Sequence, residues 1–352
     1  LLTNWTRNAE IVLEANKKFW GKKLGSAPNA FFKQNVGTIR FVIFPDDGKI
    51  RSAIFKGNLD MVVSVPPKLY FELSEIPKIS ENYTFHAPPE PSYEYVAMNM
   101  KGSARGRAPV FEDAAVRKAT AHLAHVELLL EQVRFGLGER IAAEFPADRD
   151  DFRNTGLDLI RFDPAKARTM LETAGWADSD ENGLLDKNIN GEVVQFVVEC
   201  IYNENRPQRK MIAEELQKAG MKAGVLISVV DLPWQDYVSR LKGGDFDLAI
   251  GAWVSDPNED SYAQIWHSAE WGAGSNFVGF GNPDTDALVE AYDQAMQTDA
   301  RRAISKELQQ HMYDEQPYIF LWRNTHCIVV HKRFQNAKIY NQRPGFWIGE
   351  WE

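Results

Sequence analysis

The chain has 352 residues, 44% of them hydrophobic and 25% charged, so it can bury a substantial core, and its length predicts two domains. Asp and Glu number 49 against 40 Lys and Arg, and the net charge of -9 argues against a nucleic-acid or anionic-membrane partner, since both are bound through basic surfaces. The two cysteines, Cys200 and Cys327, are too few for a disulfide scaffold, and the sequence does not show whether they pair.

The first hundred residues are predicted to be rich in strands. Three stretches, "AEIVLEAN", "TIRFVIFP" and "LDMVVSVP", combine apolar and β-branched residues and are separated by turns and by the Pro-rich "HAPPEPS". Only residues 48–57 have a helical pattern in this part of the chain. The composition therefore predicts a β-rich start.

From Asp163 onward, helical and strand patterns alternate. A helix begins at "DPAKARTMLETAG", with Asp163 as its N-cap. A buried strand over 193–201, a helix over 207–220 ending at Gly220, an amphipathic helix over 233–241 and a strand over 245–253 follow. Strands that alternate with helices of this length predict an α/β unit with mainly parallel pairing.

Two further helices, at about 284–297 and 299–314, precede a strand-like tail that starts after Pro317. A β-rich start and a β-rich end around an α/β middle predict a discontinuous domain. We expect a large β-rich lobe formed by 1–98 with 325–352, and a second α/β lobe formed by 99–324. The hinge crossings would then lie near 98 and 324.

The acidic loop "SDPNED" directly follows the strand that ends with Trp253, and it contributes Asp256, Glu259 and Asp260. The carboxyl ends of strands in α/β sheets are where ligand crevices form. Trp234 and Tyr262 belong to the aromatic residues predicted to crowd this loop, as an amphipathic pocket requires. Such carboxylates could face solvent, form a hydrolase pair or bind an ammonium group.

A second acidic stretch, "DSDENGLLD", has the spacing of a calcium loop. The residues at loop positions 1, 3, 5, 7 and 9 are Asp178, Asp180, Asn182, Leu184 (through its carbonyl) and Asp186. Position 12, where a bidentate Glu is expected, is Ile189, and the turn-forming tendency of Asp, Asn and Gly explains much of the spacing. We expect a weak Ca²⁺ site at most, and no other cofactor.

Several segments resemble extracellular solute-binding protein family 5, whose members serve oligopeptide, dipeptide and nickel ABC importers. The resemblance covers nearly the whole chain, from about residue 7 to residue 335. It is carried by "IVLEANKKFWG", "IRSAIFKGNLDM", "YEYVAMNM", "PVFEDAAVRKATAHL", "DPAKARTMLETAGWADSDENG", "FVGFGNPDTDALVEAYDQAMQT" and "QPYIFLW".

The resemblance implies an α/β, two-lobed periplasmic-binding-protein-like fold of type II, peptide-binding group. Family members carry further sequence before the segment that opens this chain, so we expect a discontinuous large lobe that lacks its N-terminal part. It also implies a binding protein, not an enzyme, that closes its two lobes on a small peptide or other small solute. The implied partners are the permease subunits of an ABC transporter. We expect a monomer, periplasmic or membrane-anchored outside the cytoplasm.

The resemblance also implies roles for individual residues. Asp256 matches the Asp that takes the peptide's α-ammonium group, and Trp253 matches the Trp three residues before it. Trp234 matches an aromatic residue that lines the cavity, and Tyr95 falls near the facing wall. Ile250 stands where some peptide binders have an Arg, which argues against a carboxylate clamp there.

Three alternatives to peptide uptake remain open at this point. The family also includes binders of non-peptide solutes such as oligosaccharides and metal chelates. A sensory or interaction protein could keep the same fold without transport. A carboxylate-dependent hydrolase would use Asp256 with a second acid, although the sequence shows no common catalytic signature.

Overall fold

The computed structural model describes residues 1–24, 33–102, 104, 106–146, 149–255 and 261–351. The chain divides into two compact units. The first comprises Leu1–Glu90 with Thr325–Glu352, and the second comprises Pro91–Asn324. One boundary coincides with the crossing predicted near 324. The other boundary, between Glu90 and Pro91, lies near the start of the strand Pro89–Met98. The sequence places the first crossing at the far end of that strand, near residue 98.

Strands and helices are named here in chain order. The strands are β1 (Leu2–Thr6), β2 (Glu10–Glu14), β3 (Thr38–Val42), β4 (Met61–Val62), β5 (Tyr83–His86), β6 (Pro89–Met98), β7 (Glu139–Arg140), β8 (Asp186–Ile189), β9 (Glu192–Gln195), β10 (Val197–Asn203), β11 (Leu226–Leu232), β12 (Leu248–Val254), β13 (Tyr318–Thr325) and β14 (Ile328–His331). The helices are α1 (Asp47–Phe55), α2 (Pro67–Ser74), α3 (Pro77–Asn82), α4 (Ala114–Ala121), α5 (Val126–Arg134), α6 (Pro164–Thr173), α7 (Pro207–Ala223), α8 (Trp234–Lys242), α9 (Ala263–Trp266), α10 (Pro283–Gln294) and α11 (Thr298–Glu315). None of the helices in the described part of the chain is both long enough and apolar enough to cross a membrane.

The first unit contains two three-stranded sheets. One has the order β1-β2-β3 and is antiparallel throughout. In the other, β14 lies between β4 and β5 and pairs antiparallel with both, so that Val329 is opposite Val62 on one side and Phe85 on the other. The C-terminal part of the chain thus shares a sheet with strands from its first ninety residues.

The second unit is built on a six-stranded sheet of order β11-β10-β12-β6-β13-β7. The pairs β10–β11 and β10–β12 are parallel, whereas β12–β6 and β13–β7 are antiparallel. The prediction of mainly parallel pairing therefore holds from β10 to β12, where helices make the crossovers. Strands β6 and β7 precede Asp163, outside the range of that prediction, and they pair antiparallel with β12 and β13.

This sheet separates two hydrophobic cores, because successive side chains along a strand point to opposite faces. Along β6, Val96 and Met98 lie in one core, and Tyr93, Tyr95 and Ala97 lie in the other. Helices α4 to α7 contribute to the first core, and α8, α10 and α11 contribute to the second. Both faces are covered, as in other α/β sheets.

The strand predicted over 193–201 is two strands. Phe196 is completely buried and separates β9, which forms a hairpin with β8, from β10, which belongs to the six-stranded sheet. The backbone N–H of Phe196 donates to Leu185 O at 2.7 Å, and its carbonyl accepts from Leu226 N at 3.0 Å. The apolar run is continuous, so the sequence alone does not show this change of partner.

The predicted end of the helix at Gly220 is also wrong. Helix α7 continues to Ala223 and ends at Gly224, whose φ of +79° places it in the left-handed region that favours glycine. Gly220 is buried inside the helix, where a Cβ atom would lie 2.7 Å from Val225 O. This glycine therefore serves close packing against the following strand, not termination of the helix.

Both cysteines are buried and neither forms a disulfide; Cys200 lies in the second unit and Cys327 in the first. Burial raises the pKa of Cys200 to about 12, so its thiol is neutral at physiological pH.

Arg117 is a fully buried cation that ties α4 to the end of α11. Its guanidinium donates to the carbonyls of Phe111 at 2.8 Å and Glu112 at 2.7 Å. It also donates to the carbonyl of Glu315 at 2.6 Å and to the Glu315 carboxylate at 2.7 Å. These contacts offset the cost of removing the charge from water.

We expect Arg117→Met to lower the free energy of unfolding by roughly 3–5 kcal/mol, because it leaves buried carbonyl groups without donors. Urea denaturation measures this loss. Lys118→Met is the matched control: the Lys118 ammonium lies 3.7 Å from Asp314 on an exposed surface, and its loss should cost less than about 1 kcal/mol. Equal losses for the two variants would contradict this role of Arg117.

Candidate ligand-binding site

Strands β6 and β12 place the predicted aromatic residues on one face of the sheet. In their antiparallel pairing, Trp253 is opposite Tyr93 and Gly251 is opposite Tyr95. Directly opposed residues project to the same face. Gly251 is required for this arrangement, since a Cβ atom there would lie 2.6 Å from the Tyr95 hydroxyl oxygen.

Four aromatic rings form a nearly parallel series, called the ring stack below: Tyr318, Tyr95, Trp253 and Phe277. Tyr95 stacks on Tyr318 with ring centroids 4.2 Å apart and on Trp253 at 6.1 Å, and Trp253 stacks on Phe277 at 5.8 Å. The Trp253 indole N–H also donates to the Tyr318 hydroxyl at 3.3 Å. Tyr95 and Tyr318 are buried, whereas Trp253 and Phe277 are only partly buried. The ring stack therefore has one accessible end.

The tyrosines of the ring stack are neutral at physiological pH. Burial, with the neighbouring Tyr318 and Tyr237 hydroxyls, raises the pKa of Tyr95 well above its usual value, and burial likewise raises the pKa of Tyr318. A neutral phenol both donates and accepts hydrogen bonds. This part of the sheet thus offers flat apolar faces with polar edges, which suits an amphipathic ligand.

Trp234 is the first residue of α8 and is 61% exposed. Its ring stacks on Tyr237 at 5.9 Å, and the Tyr237 hydroxyl in turn donates to Ile250 O in β12 at 2.8 Å. A large apolar side chain held in one place and open to solvent is suited to contact a ligand.

Tyr262 has a different environment from the one predicted for it. It is 5% exposed, its hydroxyl is hydrogen-bonded to Ser305 at 2.7 Å, and its ring meets Tyr292 edge-on at 4.9 Å. These contacts lie in the core formed with α10 and α11. Its position favours a packing role over ligand contact.

Asp256, Glu259 and Asp260 lie outside the described residues. The chain is described up to Ser255, whose N–H donates to Pro91 O at 2.8 Å, and again from Ser261. Ser255, the last described residue before the loop, therefore lies beside the first residues of β6.

Two charged side chains of this unit are absent from the sequence-based predictions. Arg209, in the first turn of α7, donates to Asn203 at 2.6 Å and lies 3.9 Å from the Glu94 carboxylate. Glu144 accepts hydrogen bonds at one oxygen, Oε2, from the Tyr93 hydroxyl at 2.7 Å and the Trp266 indole N–H at 2.5 Å. The only local signal for Glu144 was a single acid in the apolar run "RIAAEFP".

The predicted calcium loop is a series of tight turns. Asp178 accepts from Gly183 N at 3.0 Å, and Asn182 accepts from Leu184 N at 2.8 Å. The side chain of Asp180 accepts from the backbone and the side chain of Asn182, and Asp186 accepts from the backbone and hydroxyl of Ser179.

Gly183 has a φ of +89°, which gives the sharp turn expected at position 6 of such a loop. Within the described part of the chain, no three His, Cys, Asp or Glu side chains are placed to hold a metal ion together. An ion at this loop would have to rely partly on Asn182 and the Leu184 carbonyl.

Residues 1–275 match the model of a family described as bacterial extracellular solute-binding proteins, family 5 Middle. The chain is 24% identical to oligopeptide-binding protein AppA of Bacillus subtilis, over 99% of this chain and 60% of the relative. It is 21% identical to the dipeptide-binding protein of Escherichia coli, over 92% of this chain and 55% of the relative. The chain thus spans about three fifths of the length of the curated relatives it matches.

Solved structures show the same fold. The oligopeptide-binding protein AppA from Bacillus subtilis in complex with a nonapeptide has a TM-score of 0.73 at 22% identity, with 99% of this chain and 65% of that chain covered. NikA from Brucella suis in complex with Fe(III)-EDTA has a TM-score of 0.79 at 19% identity, with 100% of this chain and 67% of that chain covered. These likenesses confirm the predicted α/β fold of the peptide-binding group.

We propose weak calcium binding by the loop of Asp178 to Asp186. At 10 mM Ca²⁺, a site with a dissociation constant near 1 mM would add about 1.4 kcal/mol of stability, or about 2 °C in melting temperature. Differential scanning fluorimetry measures this shift, with equal Mg²⁺ as the ionic control and Asp178→Asn as the control variant. An equal shift with Mg²⁺, or in Asp178→Asn, would contradict the site.

Proposed function

Because the chain belongs to the bacterial extracellular solute-binding proteins of family 5, we propose that it captures short peptides for an ABC importer. The family is one of binding proteins, and we infer that this chain likewise binds its solute without chemical change. Its place of action would be outside the cytoplasm, with the permease subunits of the importer as its partners. Action as a monomer and hinged closure of two lobes stay predictions.

The observation that carries the proposal is the position of the ring stack beside the start of the acidic loop. Trp253, at the accessible end of the stack, lies three residues before Asp256. A peptide has apolar side chains and one α-ammonium group, so it needs flat apolar contacts next to a carboxylate. Charge-assisted hydrogen bonds of that kind are roughly twice as strong as those between neutral groups.

The names of similar proteins favour a peptide over other solutes as the ligand of this chain. The names of the two relatives above specify oligopeptide and dipeptide binding, and the solved AppA structure contains a nonapeptide. NikA with Fe(III)-EDTA and a heme-binding protein of Haemophilus influenzae show that similar chains bind other solutes. A non-peptide solute is therefore the alternative, and stacked rings would also bind the flat face of a sugar or chelate.

Asp256→Asn tests the proposal directly, because it removes the charge and keeps the shape of the side chain. We expect the affinity for a free-amine tripeptide to fall roughly 10- to 100-fold, the equivalent of about 1.5–3 kcal/mol for a charge-assisted hydrogen bond. Isothermal titration calorimetry measures both affinities, and the N-acetylated tripeptide should bind both proteins equally weakly.

Glu259→Gln is the matched control from the same loop and should bind like the wild type. Unchanged affinity of Asp256→Asn for the free amine would remove Asp256 from the site. Failure of the wild type to bind any tripeptide would contradict peptide capture itself.

Trp234→Ala tests whether Trp234 contacts the ligand without contributing to the stability of the fold. Since Trp234 is 61% exposed, its loss should change the free energy of unfolding by no more than about 0.5 kcal/mol. The loss of its flat contact should weaken tripeptide binding roughly tenfold, as expected for an aromatic contact of about 1–2 kcal/mol. Calorimetry and urea denaturation of the same samples measure the two effects.

Trp271→Ala provides the comparison, because Trp271 is 50% exposed on the same unit and its ring is near the Lys101 ammonium. We expect it to leave tripeptide affinity unchanged. Equal affinities for the two variants would show that Trp234 does not contact the ligand.

A further inference from the structure

Glu144 is an acid that has no cationic partner among the described residues. Its Oε2 atom takes both hydrogen bonds, from Tyr93 and from Trp266. Among the described residues, Oε1 has no hydrogen-bond partner, and no Lys, Arg or His lies within ion-pair distance of the carboxylate. Glu144 is partly buried, so part of the residue is exposed to solvent.

Two guanidinium groups beside the neighbouring residue Phe145 are paired with other acids. Arg153 and Arg323 flank the ring of the adjacent Phe145, at 5.6 Å and 5.3 Å from its centre. Arg153 pairs with Glu139, and Arg323 pairs with Asp150 at 2.8 Å. They are therefore already engaged, and Glu144 is left as an acid among aromatic rings.

A structural role alone does not account for a carboxylate at this position. Tyr93 and Trp266 are neutral donors, and a glutamine oxygen would accept both hydrogen bonds equally well. A carboxylate costs more than an amide to remove from water. Burial raises the pKa of Glu144, while the hydrogen bonds from Tyr93 and Trp266 lower it. These two hydrogen bonds therefore do not require a carboxylate, and the chemistry that a carboxylate adds when ionised is attraction of a cation.

Glu144 is also close to the ring stack. Tyr93, which donates to it, is directly opposite Trp253 in the β6–β12 pairing. The Trp266 ring packs at a tilt against Tyr318 of the ring stack, with ring centroids 4.9 Å apart. One aromatic side chain thus separates Glu144 from the strand that leads into the acidic loop.

We propose that Glu144 is a specificity-determining residue that binds the cationic side chain of a peptide, that of lysine or arginine. This inference rests on the proposed peptide capture. Asp256 would take the α-ammonium group, and Glu144 would take a second positive group through Oε1. The surrounding aromatic rings favour a cation as well.

The test compares tripeptides of alanine that contain one lysine, at the first, second or third position, with the same peptides containing norleucine. Norleucine keeps the length of the lysine side chain and lacks its ammonium group. Calorimetry on the wild type should show at least one lysine peptide binding about tenfold or more tightly than its norleucine partner. In Glu144→Gln this preference should disappear, with the affinity for the norleucine peptide and the melting temperature unchanged.

Glu139→Gln is the matched control from the same segment, and it should keep the lysine preference. A wild type that binds lysine and norleucine peptides equally at all three positions would overturn the role of Glu144 and leave peptide capture intact. A lysine preference retained in Glu144→Gln would overturn it too. A wild type that binds none of these peptides would overturn both proposals at once.

Discussion

Strands β6 and β12 pair antiparallel from Ser92 opposite Val254 to Met98 opposite Leu248, and the candidate site depends on this register. It brings Tyr93 and Trp253 to the same face, and it sets Tyr95 over Gly251, the residue whose missing side chain leaves room for the tyrosine ring. A shift by one residue would turn these rings toward the opposite core. The same pairing thus organises both the second unit and its aromatic surface.

Burial keeps the tyrosines of this surface in the same neutral form. Tyr93 and Tyr95 have raised pKa values because they are removed from water, so they act as neutral hydrogen-bonding groups. Glu144 is the exception, since it brings an acid into contact with the same rings. Together with Asp256, it would add two acidic groups to an otherwise apolar binding surface. Such a surface distinguishes solutes by the number and spacing of their positive groups.

Much of the second unit could be predicted from local sequence. The N-cap of α6 is one case: Asp163 accepts from Lys166 N at 2.9 Å, as its position before Pro164 indicates. Helix α8 and strand β12 also lie where the apolar spacing places them. The family was predicted from motifs spread along the chain, and the family model that matches residues 1–275 confirms it.

What the sequence did not reveal depends on contacts between distant segments. The roles of Gly220 and Phe196 depend on the strands packed against them, and Tyr262 is buried because α10 and α11 cover it. Glu144 meets Tyr93 and Trp266, which lie 51 and 122 residues away along the chain. No local pattern specifies partners at such separations.

Native mass spectrometry of the purified chain would show whether this surface holds a peptide. We expect adducts with a range of short-peptide masses that vanish on denaturation and are replaced when a defined lysine-containing tripeptide is added in excess. A single adduct of defined non-peptide mass that no tripeptide displaces would contradict it.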